Sequence, residues 1–292
     1  MLTGKKVAFV GGDARILEVI RHLIELDAGA VLMGFDRLEA GIPGAEKVGL
    51  TVEALADVDA LVLPLAGLDE EGYADSAYSA GRIRLQDEHF SALPSYCQVF
   101  SGIAGPYLEQ ICRRHGLRLV KLMDLDEVAI LNSIPTAEGA IQMAMENTDI
   151  TIHGSRSMVL GFGRCGMTLA RILAAMGAKV KAGARKPADL ARIREMGLTA
   201  FPMKDLGDQV GDAEIIFNTI PAPVLTADIL ARVPRNCLII DIASKPGGTD
   251  FRYAQRRGIR ALLAPSLPGI VAPKTAGQIL AGTLSRYIWE SG

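Results

Sequence analysis

The chain has 292 residues, which at roughly 150 residues per domain predicts two domains, each able to bury its own core. Its 31 Lys+Arg against 33 Asp+Glu give a formal charge of −2, too balanced for the basic field that nucleic-acid binding needs, so no DNA or RNA partner is expected. Hydrophobic residues at 49% and charged residues at 22% exclude disorder as the general state. The longest apolar runs, such as Ala261 to Ala264, stop far short of the roughly 18 residues of a membrane helix, so no span and no membrane partner are expected. Near the N-terminus Lys5-Lys6 is followed only by Val7 to Val10 before two glycines. That is too short for a signal-peptide core, and a cytoplasmic location is the default expectation. Cys97, Cys112, Cys165 and Cys237 lie far apart with no C-x-x-C pair, which predicts reduced, mostly buried thiols.

In chain order, Lys6 to Val10 is an apolar run ending in Gly11-Gly12, the pattern of a buried parallel strand. Ile16, Leu17, Val19, Ile20, Leu23 and Ile24 then recur at three- and four-residue spacing. They predict a helix from about Arg15 to Leu26, ended by Gly29. Ala30 to Gly34, Ala60 to Pro64, Cys97 to Phe100 and Leu117 to Leu122 read as further strands, with Pro106 to His115 helical. The first domain is thus expected to be a doubly wound parallel sheet. The stretch Asp69 to Leu85 receives no element and reads as a lid or an interface. Thr136, after Pro135, reads as the cap of a connector helix running to about Asn147.

A second pass begins at Ser157 to Leu160 and runs through a helix closed by Gly177. Strands are expected at about Lys179 to Ala182, Ile215 to Asn218, Cys237 to Asp241 and Arg260 to Leu263. A final helix over Thr275 to Trp289 is expected to pack back on the first domain. The fold class is therefore α/β, with two doubly wound, Rossmann-like parallel sheets and an interdomain cleft. The division is 1–135 with 275–292 as a substrate-side domain, and 136–274 as a nucleotide-binding domain.

The strongest local signal is Gly161-Phe-Gly163-Arg164-Cys165-Gly166, because this G-x-G-x-x-G follows an apolar strand and opens an amphipathic helix. Gly161 makes the tight turn, Gly163 lets a pyrophosphate approach the backbone, and Gly166 lets helix and strand pack closely. An NAD site places a carboxylate at the end of the second strand; here Ala184 stands there, followed by Arg185 and Lys186. Two cations with no competing carboxylate favour the 2′-phosphate of NADP. Asn218, Thr219 and Pro221 lie in a prolyl loop at a later strand end and are expected beside the nicotinamide. Lys245 and Lys274 each lie in a Pro/Gly-rich loop by the sequence and are expected to bind an acidic substrate. The turn Gly11-Gly-Asp13-Ala-Arg15 lacks the third glycine. A second dinucleotide is therefore not expected there, while Asp13 and Arg15 are expected to face the cleft. Ser133 and Thr136 can add hydroxyls to the substrate side. The four histidines have no metal-ligand spacing, and no metal site is expected.

Longer motifs carry a resemblance. Asn132 to Gly139, the Gly161–Gly166 turn, Gly183-Ala-Arg185, Asn218 to Pro221, Ser244 to Phe251 and Pro268 to Leu280 resemble the dipicolinate synthase A-chain family of spore-forming bacteria. The resemblance covers essentially the whole chain. It implies NADP-dependent oxidation of dihydrodipicolinate to dipicolinate during sporulation, in the mother-cell cytoplasm, with the flavoprotein-like B chain of dipicolinate synthase as partner. The substrate would be a small dicarboxylate from a branch of the lysine pathway. Arg15, Lys245 and Lys274 would bind its carboxylates and Asp13, or else water, would take the proton. More distantly the chain is similar to two-domain 2-hydroxyacid and alanine dehydrogenases, but no equivalent of their catalytic His stands in its C-terminal part. A dehydrogenase of another small carboxylate and a nucleotide-binding regulatory or scaffold protein stay open as alternatives, as does a homo-oligomeric state.

Overall fold

The computed structural model describes residues 1–290; positions 291 and 292, assigned above to the first domain, lie outside the described residues. Two compact units form. Unit 1 is Met1–Leu131 together with the chain from Ala272 onward, and unit 2 is Asn132–Val271.

Unit 1 runs β1 (Lys6–Val10), α1 (Ala14–Glu25), β2 (Gly29–Met33), β3 (Ala45–Val48), α2 (Val52–Leu55), β4 (Ala60–Val62), β5 (Tyr73–Ala74), β6 (Ile83–Arg84), α3 (Asp87–Ser91), β7 (Gln98–Ser101), α4 (Pro106–Arg114) and β8 (Arg118–Lys121) before α5 (Asp126–Glu146). Six strands pair in parallel in the order β3-β2-β1-β4-β7-β8. The order reverses between β1 and β4, the signature of double winding. Successive side chains of a strand point to opposite faces: Val7 and Phe9 enter one core, Ala8 and Val10 the other. With both faces covered, the central strands β1, β2 and β4 read as apolar runs.

Helix α1 lays Ile16, Val19, Ile20 and Leu23 into the core. Its bounds match the expected ones to within a residue, but the stop differs. Leu26 is its C-cap and Asp27 takes the left-handed conformation at φ 67°, which the short polar side chain of Asp tolerates. Gly29, expected as the stop, opens β2. The unassigned stretch 69–85 holds the antiparallel pair β5–β6. Its segment 75–77 lies along Gly12, with Gly12 N–H donating to Asp75 C=O and Ala77 N–H to Gly12 C=O, both at 2.9 Å.

Unit 2 runs β9 (Arg156–Leu160), α6 (Arg164–Ala175), β10 (Lys179–Ala184), α7 (Pro187–Glu195), β11 (Thr199–Pro202), α8 (Leu206–Gln209), β12 (Ile215–Asn218), α9 (Ala227–Leu230), β13 (Leu238–Asp241), α10 (Phe251–Arg257), β14 (Arg260–Leu263) and α11 (Leu267–Val271). Its parallel order β11-β10-β9-β12-β13-β14 repeats that of unit 1, so both sheets are doubly wound and Rossmann-like, as the sequence predicts. Gly177, at φ +85°, follows the C-cap of α6.

Helix α5 differs from expectation. It begins at Asp126, ten residues before Thr136, and carries Pro135 inside. A proline there removes one helical hydrogen bond and costs about 3 kcal/mol. Burial of Ala137, Ala140, Ile141 and Ala144 in the unit 2 core offsets that cost. Thr136 caps nothing: its hydroxyl donates back to the Asn132 carbonyl at 2.8 Å.

The last helix, α12 (Pro273–Glu290), packs on α1 within unit 1. Leu280, Ala281, Leu284 and Ile288 enter the same core as Ile16 and Ile20. The close approach requires Gly277, where a Cβ would stand 2.5 Å from the Arg15 carbonyl oxygen and 2.6 Å from Glu18 Cβ. Gly282 has nothing within 4 Å. Among the described residues no helix is long and apolar enough to cross a membrane. The two glycines give a paired prediction for chemical denaturation. Gly282→Ala stabilises by about 1 kcal/mol through helix propensity, while Gly277→Ala destabilises by about 1–3 kcal/mol because the helices must separate. Equal effects of the two changes would refute the close α1–α12 contact.

Candidate functional site

The carboxyl edge of a doubly wound sheet is where ligands bind, and unit 2 gathers there the turn after β9 and the loops after β10, β12 and β13. The three glycines of the first turn have three different reasons to be glycine. Gly161 follows the last residue of β9 with φ +93°, and a Cβ there would run into Thr219 Oγ1. Gly166 sits in the first turn of α6, and its Cβ would collide with the Gly161 carbonyl oxygen. Gly163 is the N-cap of α6 in extended backbone, φ −82° and ψ −164°, with no side-chain cap, and a Cβ there meets nothing within 4 Å. Two glycines are therefore forced by packing, whereas the third leaves space beside the helix N-terminus. That opening lets a pyrophosphate reach the first amides of a helix whose dipole favours anions.

Thr219 braces this turn. Its amide and its hydroxyl both donate to the Leu160 carbonyl at 2.9 Å. Arg164 and Cys165 occupy the first two positions of α6. Burial raises the pKa of the Cys165 thiol, which Arg164 partly offsets. The thiol therefore stays protonated near neutral pH and is a poor nucleophile. Burial likewise pushes Cys97, Cys112 and Cys237 up to about 12.

At the end of β10, Ala184 is buried while Arg185 and Lys186 are exposed, and neither forms an ion pair among the described residues. Lys186 is the N-cap of α7 and Pro187 its first residue, which fixes where the two cations stand.

Asn218 differs in role from the expected ligand contact. It is fully buried. Its Nδ2 donates to Asp241 Oδ1 at 3.0 Å and to the Ile220 carbonyl at 3.1 Å, and its Oδ1 accepts from the Ile220 amide at 3.1 Å. Its polar atoms are thus spent on shaping the loop that carries Thr219 and Pro221. The residue that sequence reasoning missed is Asp241. It follows the apolar run Cys237 to Ile240, and a carboxylate closing a fully buried strand was the available signal.

The substrate-side residues are placed less uniformly. Lys245 is exposed in the loop after β13. Lys274 is exposed in the first turn of α12 and not in a loop, since Pro273 initiates that helix. Ser133 is fully buried within α5, with its hydroxyl 2.7 Å from Thr168 Oγ1, and Thr136 is half-buried on the same helix. Both lie inside α5, with Thr136 away from the cap position expected for it. In unit 1, Asp13 is the N-cap of α1 and accepts from the Arg15 amide at 3.0 Å. It also accepts from Arg15 Nε at 3.0 and 3.1 Å. Burial raises its pKa, but the Arg15 hydrogen bonds and charge outweigh burial and hold the carboxyl below its ordinary value.

Unit 1 has no comparable opening at its own glycine turn. A Cβ at Gly11 would stand 2.7 Å from the Asp75 carbonyl oxygen, and one at Gly12 would stand 2.6 Å from Ile16 Cγ1. The segment 75–77 fills the space in front of β1.

The glycine geometry predicts different failures at neighbouring positions. Gly163→Val leaves the unfolding free energy within about 1 kcal/mol of the parent and weakens dinucleotide binding by more than about tenfold in a fluorescence titration. Gly166→Ala instead destabilises unit 2 by about 1–3 kcal/mol. Unchanged affinity in Gly163→Val would rule out the assigned phosphate position.

Comparison with known proteins bears on both units. Residues 6–123 match the family of the dipicolinate synthase A-chain N-terminal domain, and residues 134–244 match the D-isomer specific 2-hydroxyacid dehydrogenase NAD binding domain. The dipicolinate synthase A chain of Bacillus subtilis (strain 168) is 50% identical over 290 residues, 99% of this chain and 98% of that protein. The crystal structure of the A chain from Bacillus halodurans is 51% identical with a TM-score of 0.95, covering 99% of each chain. That of the A chain from Bacillus subtilis is 50% identical with a TM-score of 0.95, covering 100% of this chain and 98% of that one. Unit 2 thus carries a dehydrogenase-type domain for a nicotinamide dinucleotide, and with half its residues shared across nearly the full length of these proteins, the chain belongs to the dipicolinate synthase A-chain family.

Proposed function

We propose that this protein catalyses the NADP-dependent oxidation of dihydrodipicolinate to dipicolinate, together with the flavoprotein-like B chain of the synthase, in the mother cell during sporulation. The observation that carries the reading is the glycine turn, open only at Gly163, in a chain 50% identical to the A chain of a dipicolinate synthase. That the relatives are named as one lettered component of a synthase supports a second component.

When bound, the dinucleotide supplies a hydride-accepting ring. The residues of unit 2 do the holding. Amides of Arg164, Cys165 and Gly166 face the pyrophosphate across the space beside Gly163. Arg185 and Lys186 pair with the 2′-phosphate, where Ala184 offers no repelling carboxylate. Thr219 and Pro221 form one wall for the nicotinamide, and Asn218 holds that wall in shape.

Oxidation of the dihydro ring releases one hydride and one proton and leaves an aromatic dicarboxylate. Lys245 in unit 2 and, separately, Lys274 in unit 1 are exposed cations, and each is proposed as a carboxylate-binding residue in its own unit. Arg15 commits Nε–H and one Nη2–H to Asp13, which leaves three of its five N–H donors, on the two terminal nitrogens, for a substrate. Asp13 is correspondingly a weak base, because Arg15 stabilises its ionised form, so water is the better acceptor of the proton. Aromatisation supplies driving force for that release.

The direct test follows cofactor reduction and dipicolinate formation together, with NADP or NAD, with and without the B chain. Both signals are expected to rise in step with NADP. Failure of both, even with the B chain present, would overturn the substrate assignment. Arg185→Ala is expected to weaken NADP binding about tenfold while sparing NAD; equal losses would reject its pairing with the 2′-phosphate.

A further inference from the structure

The loop after β12 and the loop after β13 meet at one fully buried carboxylate. Asn218 and Asp241 are register partners on adjacent strands. Asp241 Oδ1 accepts from Asn218 Nδ2 at 3.0 Å and from the Ala243 amide at 3.1 Å. Its Oδ2 accepts from the Gly248 amide at 2.8 Å and from the Thr249 hydroxyl at 2.6 Å. A carboxylate has about four lone-pair sites, so these donors fill it. It has no acceptor left for a substrate.

The same loops also interlock by direct packing. A Cβ at Gly248 would stand 2.5 Å from the Ala222 carbonyl oxygen and 2.6 Å from both Asn218 Nδ2 and the Ile220 carbonyl oxygen. Val224 and Leu225 amides donate to the Gly248 carbonyl at 3.0 and 2.9 Å. Between the two anchors, Asp241 and Gly248, the chain projects Ser244, Lys245 and Pro246 outward. Lys245 is exposed and has no ion pair among the described residues.

We infer that Asp241 is the positioning residue of the site: through Asn218 and through Gly248 and Thr249 it ties the nicotinamide wall to the loop that presents Lys245 to an anionic substrate. This rests on the proposed dehydrogenase reading of Lys245. Asn218 reaches the glycine turn through its neighbour Thr219, which bonds Leu160. A single carboxylate therefore sets the spacing between the hydride-accepting position and the substrate cation. All four of its partners donate, so only a side chain with two accepting oxygens satisfies them. An amide leaves one donor pair facing its own N–H groups.

The experiment uses the full chain with the B chain. Asp241→Asn is expected to raise the substrate KM about tenfold while dinucleotide affinity stays within about threefold. Hydrogen exchange across 244–250 should quicken about tenfold, with 160–175 unchanged. Thr249→Val, a milder change should Asp241→Asn not fold, moves the same readouts in the same direction, and Thr249→Ser restores them. Unchanged exchange and unchanged KM in both Asp241→Asn and Thr249→Val would overturn the inference. So would a loss of dinucleotide affinity equal to the loss of substrate affinity, because that marks a general collapse. If the parent protein fails to oxidise the substrate, the functional reading fails, while the exchange data still decide whether Asp241 holds the loop.

Discussion

The approach of helix α6 to strand β9 is the constraint on which the nucleotide side of this protein depends. Gly166 brings the first turn of α6 against the Gly161 carbonyl, where a Cβ cannot fit. With the helix held this close, Gly163 at its N-cap faces open space. Thr219 then fastens the neighbouring loop to the Leu160 carbonyl. Each contact is small, but together they place a helix N-terminus, a bare backbone and a prolyl wall on one edge of one sheet.

The two units share a strand order and differ in what stands at the equivalent turn. In unit 2 the turn opens outward. In unit 1 the segment 75–77 lies along Gly12 through one isolated β-bridge at Ser76, and Ser76 hydroxyl donates to the Gly34 carbonyl at 2.8 Å. Tyr78 stacks on Phe35 with ring centroids 5.9 Å apart, which anchors the segment in the core. The same architecture thus yields one turn fit for a phosphate and one filled by its own chain. Fold alone does not fix function; the occupancy of the turn does.

Much of this was legible in the residues. Apolar strand runs ending in glycine, and the three-four spacing of Ile16 to Ile24, marked the central strands and α1 because the middle of each sheet is buried on both faces, whereas the partly exposed edge strands β3 and β11 carry no such run and were missed. The glycine turn was readable because its chemistry is local. The other errors share a cause, which is that tertiary contacts overruled local signals. Pro135 predicts a boundary, yet the core packing of Ala137 to Ala144 carries α5 through it. Thr136 resembles a cap and spends its hydroxyl inside the helix. The hairpin at 69–85 is too short and too polar to announce itself and is defined by its partners Gly12 and Phe35. The role of Asp241 was hidden for the same reason: its four donors come from Asn218, Ala243, Gly248 and Thr249, which only the folded sheet brings together.

One dinucleotide site per chain, at the open turn of unit 2, is the central expectation for this protein. The most direct measurement is a calorimetric titration of the full-length protein with NADP and, separately, with NAD. Saturation is expected at one NADP per chain, bound more tightly than NAD. Two equivalents per chain, or no binding of either dinucleotide, would contradict it.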